Sequence, residues 1–202
     1  AGIWAIVKIR PIFKSEADLD TRPFDALMQG IKYSFTHSKI SNFILLGFFS
    51  AIFIWPFQTL MPLIAEGVFA SGAQGYGSLL SSAGFGSLLG AIFTSANSRR
   101  ENKIPLITTG LVIASIGLIL FSLNRNFVLA HLLLFFSGFG TLMMVSTLNS
   151  LVQLNSPDTM RARIMAVYLT MFVGMMPVGN FLAGTIAQHT SALFTIGLGA
   201  SA

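Results

Sequence analysis

Three amides set within apolar sequence are the residues best placed to do chemistry. Gln58, Asn149 and Asn180 each interrupt a long stretch that holds almost no charge. A primary amide carries two donors and an acceptor oxygen. Leaving those groups against hydrocarbon costs roughly 2–7 kcal/mol, so each amide needs a neighbouring helix or a polar molecule to bind. Trp55, Phe57 and Met61 lie around Gln58 and are expected to form an aromatic, adaptable wall beside it. Helix-to-helix hydrogen bonds from the same amides are the competing reading.

Ionisable groups add little to this set. Glu66 and His131 fall near the ends of apolar stretches, where position assigns them to the membrane interface rather than to proton carriage. No aspartate lies inside any stretch, and no H-E-x-x-H sequence is present, so intramembrane hydrolysis lacks its residues. Cysteine is absent, which removes disulfides and thiolate metal sites. No G-x-x-x-x-G-K-[ST] loop marks a nucleotide-driven pump. No enzyme activity, cofactor or metal is expected.

Composition says what must hold these residues. Hydrophobic residues make up 53% of the 202, charged residues 9%, and mean hydropathy is +0.75. A soluble domain carries about 25% charged residues, and too little charge is present here to coat one. The net charge of +5 sits in short clusters between apolar stretches. No aromatic and basic interleaving suggests a nucleic-acid groove, so nucleic acid is not an expected partner. The class is all-α and integral to a membrane.

A helix needs about 20 mostly apolar residues to cross the hydrocarbon core. Five stretches qualify, near 42–64, 76–96, 104–123, 127–154 and 164–187, and a shorter one covers 191–202. Residues 1–7 read as the end of an earlier helix, and residues 8–41 as a connector. Alternating successive loops places eleven of the twelve basic residues on one side, with only Arg125 on the other. The positive-inside rule makes the basic side cytoplasmic, including residues 8–41 and the loops near 99–103 and 155–163. The opening Ala1-Gly2-Ile3-Trp4, without Met, and the apolar close are those expected of a piece of a longer chain.

Within the connector, Asp20 or Thr21 could cap a helix with Pro23 in its first turn. Phe24, Leu27, Met28, Ile31 and Phe35 recur there at helical spacing. Such a helix would lie on the membrane surface or pack on its own protein. Small residues are the other pattern: Ser78, Ser82, Gly86 and Gly90 share one stripe, near Gly77 and Gly84, and Gly179, Ala183 and Ala187 share another, near Gly174. Small residues four apart let helix backbones approach closely. Pro56, Pro62 and Pro177 each remove a backbone donor and invite a bend.

Two loops carry a family resemblance. Leu151-Val152-Gln153 followed by Ser156-Pro157-Asp158-Thr159-Met160-Arg161-Ala162-Arg163-Ile164-Met165-Ala166 resembles the "LVQ…P-D/E-x-x-R-G-R-V-M-S" stretch of major facilitator superfamily exporters, of the enterobactin-exporter, macrolide-efflux and transmembrane secretion effector type. Ala162 stands where that family usually has Gly. Ser156 is expected to cap the next helix, with Pro157 in its first position and Asp158 against its dipole. Gly90, Arg99, Arg100 and Lys103 are similar to the superfamily's G-x-x-x-D-R-x-G-R-K/R loop. Thr94 stands near the position of its aspartate.

The resemblance covers nearly the whole chain. It implies the C-terminal half of a twelve-helix permease: the end of helix six, the connector, helices seven to eleven and a truncated helix twelve, in the cell membrane. It further implies export of a small amphiphilic molecule, such as a drug or siderophore, by alternating access driven by proton antiport. The implied partners are lipid, the substrate and an N-terminal half of the same chain. A non-transporting membrane scaffold is the alternative.

Overall fold

The computed structural model of the chain describes residues 23–202. Residues 1–22, with Lys8, Arg10, Lys14, Arg22, Asp20, Thr21 and the stretch 1–7, lie outside the described residues, as does the side chain of Phe24. Eight helices follow in order: α1 Pro23–Thr36, α2 Ser38–Phe53, α3 Phe57–Gly67, α4 Gly72–Ala96, α5 Ile104–Leu123, α6 Phe127–Leu154, α7 Arg161–His189 and α8 Ala192–Ser201. Five spans are long and apolar enough to cross a membrane: Ser38–Gly67 (α2 with α3), α4, α5, α6 and α7. The result is an all-α bundle, consistent with half of a twelve-helix transporter.

Proline chemistry divides the first span. The ring of Pro56 clashes with the carbonyl four residues earlier and offers no N–H, so α2 stops at Phe53. The amides of Ile54 and Trp55 both donate back to the Ser50 carbonyl, at 3.0 and 3.2 Å. Pro56, with φ −61°, then starts α3. The third and fourth spans, by contrast, have no internal proline and run unbroken.

α6 lies between α4 and α5, and glycines set how close they come. A Cβ at Gly86 or Gly90 would collide with the carbonyls of Phe135 and Phe139, and one at Gly138 with the Ala83 carbonyl. On its other face, a Cβ on Gly140 would stand 2.5 Å from the Gly110 carbonyl. Two buried hydroxyls of α6 bond within their own helix: Ser137 donates to the Leu133 carbonyl at 2.8 Å, and Thr147 to that of Met143 at 2.6 Å. Elsewhere α7 packs on α2, and α8 covers α5 and the end of α2. Phe181 (73%), Val128 (79%) and Leu63 (60%) remain exposed. Such apolar surface suits lipid or another membrane-embedded surface.

The connector helix docks differently from its amphipathic pattern. Its buried positions are Gly30 and Ser34, while Leu27, Met28 and Phe35 face outward. A Cβ on Gly30 would come within 3.1 Å of the Arg163 Cβ, and Arg163 Nη1 donates to Gln29 Oε1 at 2.7 Å. A small-residue face therefore holds α1 against α7, and the apolar stripe lies beside that contact.

Candidate functional site: the amide surface and the basic loops

Gln58 is exposed on α3. Pro62, four residues on, removes the N–H that would otherwise bond the Gln58 carbonyl. A side-chain amide and an under-satisfied carbonyl thus share one position in the second half of the first span. Asn180 is partly exposed on α7, and its Oδ1 is buried with no hydrogen-bond partner. Its neighbour Gly179 packs against the backbone of Ala51 and Ile52, which puts Asn180 at the level of Ile52. Gln58 lies six residues beyond Ile52, about 9 Å along a helix axis at 1.5 Å per residue. These two amides form the nearest thing to a shared polar surface.

Asn149 is not part of it. Ser50 Oγ lies 3.8 Å from Met144 Sδ, so Met144 and Ser50 share a level, and Asn149 continues five residues toward the basic end. Its depth differs from that of Gln58 by about 20 Å. There it accepts a hydrogen bond from Gln153 Nε2 of its own helix, at 2.5 Å. Next to it Lys103 Nζ donates to Ser150 Oγ at 3.2 Å.

The expected wall around Gln58 is also divided. Trp55 is partly exposed and sets its ring edge-on to Phe172, with centroids 5.5 Å apart. Phe57 (4% exposed) and Met61 (0%) instead pack into the core. The break at Ile54–Pro56 is the physical reason: α3 starts a new register, in which 57, 60, 61 and 64 turn inward and 58, 59, 62 and 63 outward. An apolar cavity of about 100 Å³ lies behind this surface, lined by Pro56, Phe57, Leu60, Gly179 and Ala183 among others. Ligand pockets usually hold about 300–1,000 Å³, so this cavity is too small for a drug-sized molecule.

At the basic end the loop residues position one another. Arg161 pairs with Asp158 at 2.6 Å and donates from Nε to the Gln153 carbonyl at 3.2 Å, which ties the loop to the last turn of α6. Arg163 holds α1, as above. Ser156 is buried and donates to the Val152 carbonyl. It therefore closes α6 rather than capping α7, which begins only at Arg161. Thr94 Oγ1 donates to the Gly90 carbonyl at 2.9 Å, and Gly90 itself serves the α4–α6 contact. Arg99 and Arg100 are exposed.

One pairing was not visible from sequence. His131 on α6 places Nδ1 2.8 Å from the Phe127 carbonyl and Nε2 3.0 Å from Ser78 Oγ on α4. Each residue stands out alone, the histidine as a rare ionisable group and the serine in a small-residue stripe. Only the packing of α4 on α6 brings them together.

No curated protein and no solved structure matches the chain. The profile of a major facilitator family described as transmembrane secretion effectors matches residues 1–202, the whole of it. With five apolar spans arranged as above, the chain belongs to the transmembrane secretion effector family of the major facilitator superfamily.

Proposed function

We propose that this chain is one half of a secondary transporter, without enzymatic activity, that exports a small amphiphilic molecule. It would work by alternating access against a second six-helix half of the same protein, with proton antiport as the drive. The observation that carries the reading is the pair Gln58 and Asn180. Two amides and a proline-freed carbonyl stand on neighbouring spans, and the half's own packing leaves the Asn180 oxygen without a partner. Such groups are costly against lipid and useful against a polar head in a water-lined path. The basic loops would face the cytoplasm of a cell membrane.

The test is accumulation of a panel of amphiphilic drugs and siderophores in cells expressing the full-length protein. Gln58→Leu and Asn180→Leu should each lower export several-fold with membrane abundance unchanged. Undiminished export in the double variant would sink the assignment. Orientation has its own test, since the chain has no cysteine. Single cysteines at Ser71 and Glu101 should label from opposite faces of the membrane, Glu101 from the cytoplasm.

A further inference from the structure

α1 has three faces of different chemistry, and it docks on the bundle through the small one. Gly30 and Ser34 share that face and are buried. Leu27, Met28 and Phe35, exposed by 44%, 49% and 45%, centre roughly 100° round from it at 3.6 residues per turn. Ile31, between them, is partly exposed and reaches back to the cluster around Ile164. Asp25, Gln29, Lys32 and Thr36 are exposed as well and centre roughly 110° further round. The apolar stripe therefore points neither straight at α7 nor along the polar side.

Two contacts set the depth of the helix. A Cβ on Gly30 would stand 3.1 Å from the Arg163 Cβ, and Ile40, near the start of α2, is buried in one cluster with Ile164. Ten residues of helix cover about 15 Å, yet Gly30 and Ile40 both reach the first turn of α7. α1 therefore runs across the end of the bundle and does not extend α2 into water. The corner is His37, whose ψ of 103° is not helical. Its ring stacks on Tyr33 at 3.9 Å, with Nδ1 3.0 Å from the Tyr33 carbonyl. The apolar spans begin at Ser38 and Arg161, so α1 lies at the level where two spans enter the membrane.

We propose that α1 is seated in the lipid interface at the basic end, with Leu27, Met28 and Phe35 among the acyl chains and its small face on α7. Depth and charge select lipid as the occupant. An interfacial helix buries its apolar face about 5–10 Å into the boundary between headgroups and acyl chains, and the border of that face here carries Lys32. Lys32 and Lys39 are exposed, and the ion pair among the described residues, Arg161 with Asp158, involves neither. Their stems can lie over apolar surface while the ammonium groups reach lipid phosphates. α1 is then held from two sides, by lipid and by the first turn of α7. This anchoring stands whether or not the chain exports anything.

The test uses the full-length protein in bilayers of phosphatidylcholine and phosphatidylglycerol. A nitroxide on a single cysteine, in a background freed of any other, reports whether oxygen from the lipid or a nickel chelate from water reaches it more often. Met28→Cys and Phe35→Cys should meet oxygen several-fold more than the chelate, with the order reversed at Asp25→Cys and Thr36→Cys. Preference for the chelate at 28 and 35 puts the stripe in water and overturns the proposal. Shielding from both reagents there overturns it too, because protein then covers the stripe, either another part of the chain or a second copy. Met28→Asp gives a separate reading: hydrogen exchange across residues 23–36 should rise several-fold, and unchanged exchange would show that lipid does not hold the helix.

Discussion

Around α6 the backbones themselves touch, whereas between α2 and α7 side chains set most of the spacing. On the first seam Gly86, Gly90 and Gly138 bring α4 and α6 into backbone contact, and Gly110 and Gly140 do the same for α5 and α6. On the second, Gly47 meets the ring of Tyr168, Tyr168 stacks on Phe172 at 6.0 Å, and Trp55 leans on Phe172. Backbone contact there is confined to Gly179 against Ala51 and Ile52 and, from α8, Gly199 against Phe53. The prolines fall the same way: Pro56 and Pro62 interrupt the first span and Pro177 lies within α7, while α6 has none. Contacts between rings can slide or rotate, but a glycine pressed on a carbonyl has one distance at which it fits. Asn180 lies on α7 beside this second seam, and Gln58 lies on α3 just beyond its end.

The largest expected effect is a branched side chain on the first seam. Gly138→Val must push its Cβ into the Ala83 carbonyl, and a backbone atom has no rotamer by which to yield. Overpacking costs about 1–3 kcal/mol where side chains can move, so about 3 kcal/mol or more is expected here. Thermal unfolding in detergent, followed by tryptophan fluorescence, should show a fall of several degrees or loss of a monodisperse protein. Gly174→Ala and Gly184→Ala meet nothing within 4 Å and should leave the transition in place or raise it slightly, since alanine favours helix over glycine by up to about 1 kcal/mol. Equal damage from Gly138→Val and Gly184→Ala would erase the distinction between the seams.

Gly179→Val should fall between these extremes. Its Cβ would stand 2.8 Å from the Ala51 carbonyl and the Ile52 Cα, a clash with backbone. The proline break just beyond, at Ile54–Pro56, lets the end of α2 shift. A loss of about 1–3 kcal/mol is expected, together with altered export, because Asn180 is the next residue. A loss as large as that of Gly138→Val would show that the proline seam is no softer than the glycine one.

Much of the first seam was legible in the sequence, and less of the second. α5 and α6 span Ile104–Leu123 and Phe127–Leu154, as their apolar stretches imply, because a membrane helix announces itself by hydropathy alone. The stripe containing Gly86 and Gly90 likewise named a packing face, though not its partners at Phe135 and Phe139. On the second seam Pro56 signalled a bend, but not the register in which α3 would resume. That register decided that Phe57 and Met61 face the core while Gln58 does not. Ser156 misled for a similar reason: a buried hydroxyl takes the nearest carbonyl, and the last turn of α6 is closer than the first turn of α7. Asn149 is also an amide within a span, but its depth and its bond to Gln153 set it with the basic loops and apart from Gln58 and Asn180. No local pattern could pair His131 with Ser78, since that pairing depends on how two distant helices dock.

A smaller effect is expected where α1 meets the second seam from outside. Gln29→Ala removes the acceptor for Arg163 in an exposed pair, and surface interactions of this kind are worth about 0–1 kcal/mol. Global unfolding should therefore scarcely change. Hydrogen exchange in residues 23–36 should rise modestly, because the remaining hold on the bundle is the small face of Gly30 and Ser34 with Ile31 and Tyr33 packed against the cluster of Ile164, Val167 and Tyr168. Gly30→Leu, which presses on the Arg163 backbone, should release the helix more fully. Exchange unchanged in both variants would mean that other contacts hold α1.

The turn between α3 and α4 joins the two seams, and it offers a change that touches neither. Ala70 sits at φ +48°, in the left-handed region where a Cβ crowds the following carbonyl at a cost of roughly 1–2 kcal/mol. Ala70→Gly relieves that crowding and adds some unfolded-state entropy, for an expected net gain of about 1 kcal/mol or less. Residues without shared contacts usually combine additively. Ala70→Gly should therefore raise the unfolding midpoint of the wild type and of Gly179→Val by the same amount. A gain that disappears in Gly179→Val would show that damage to the α2–α7 seam travels through α3 into the turn, and the two seams would then be one mechanical unit.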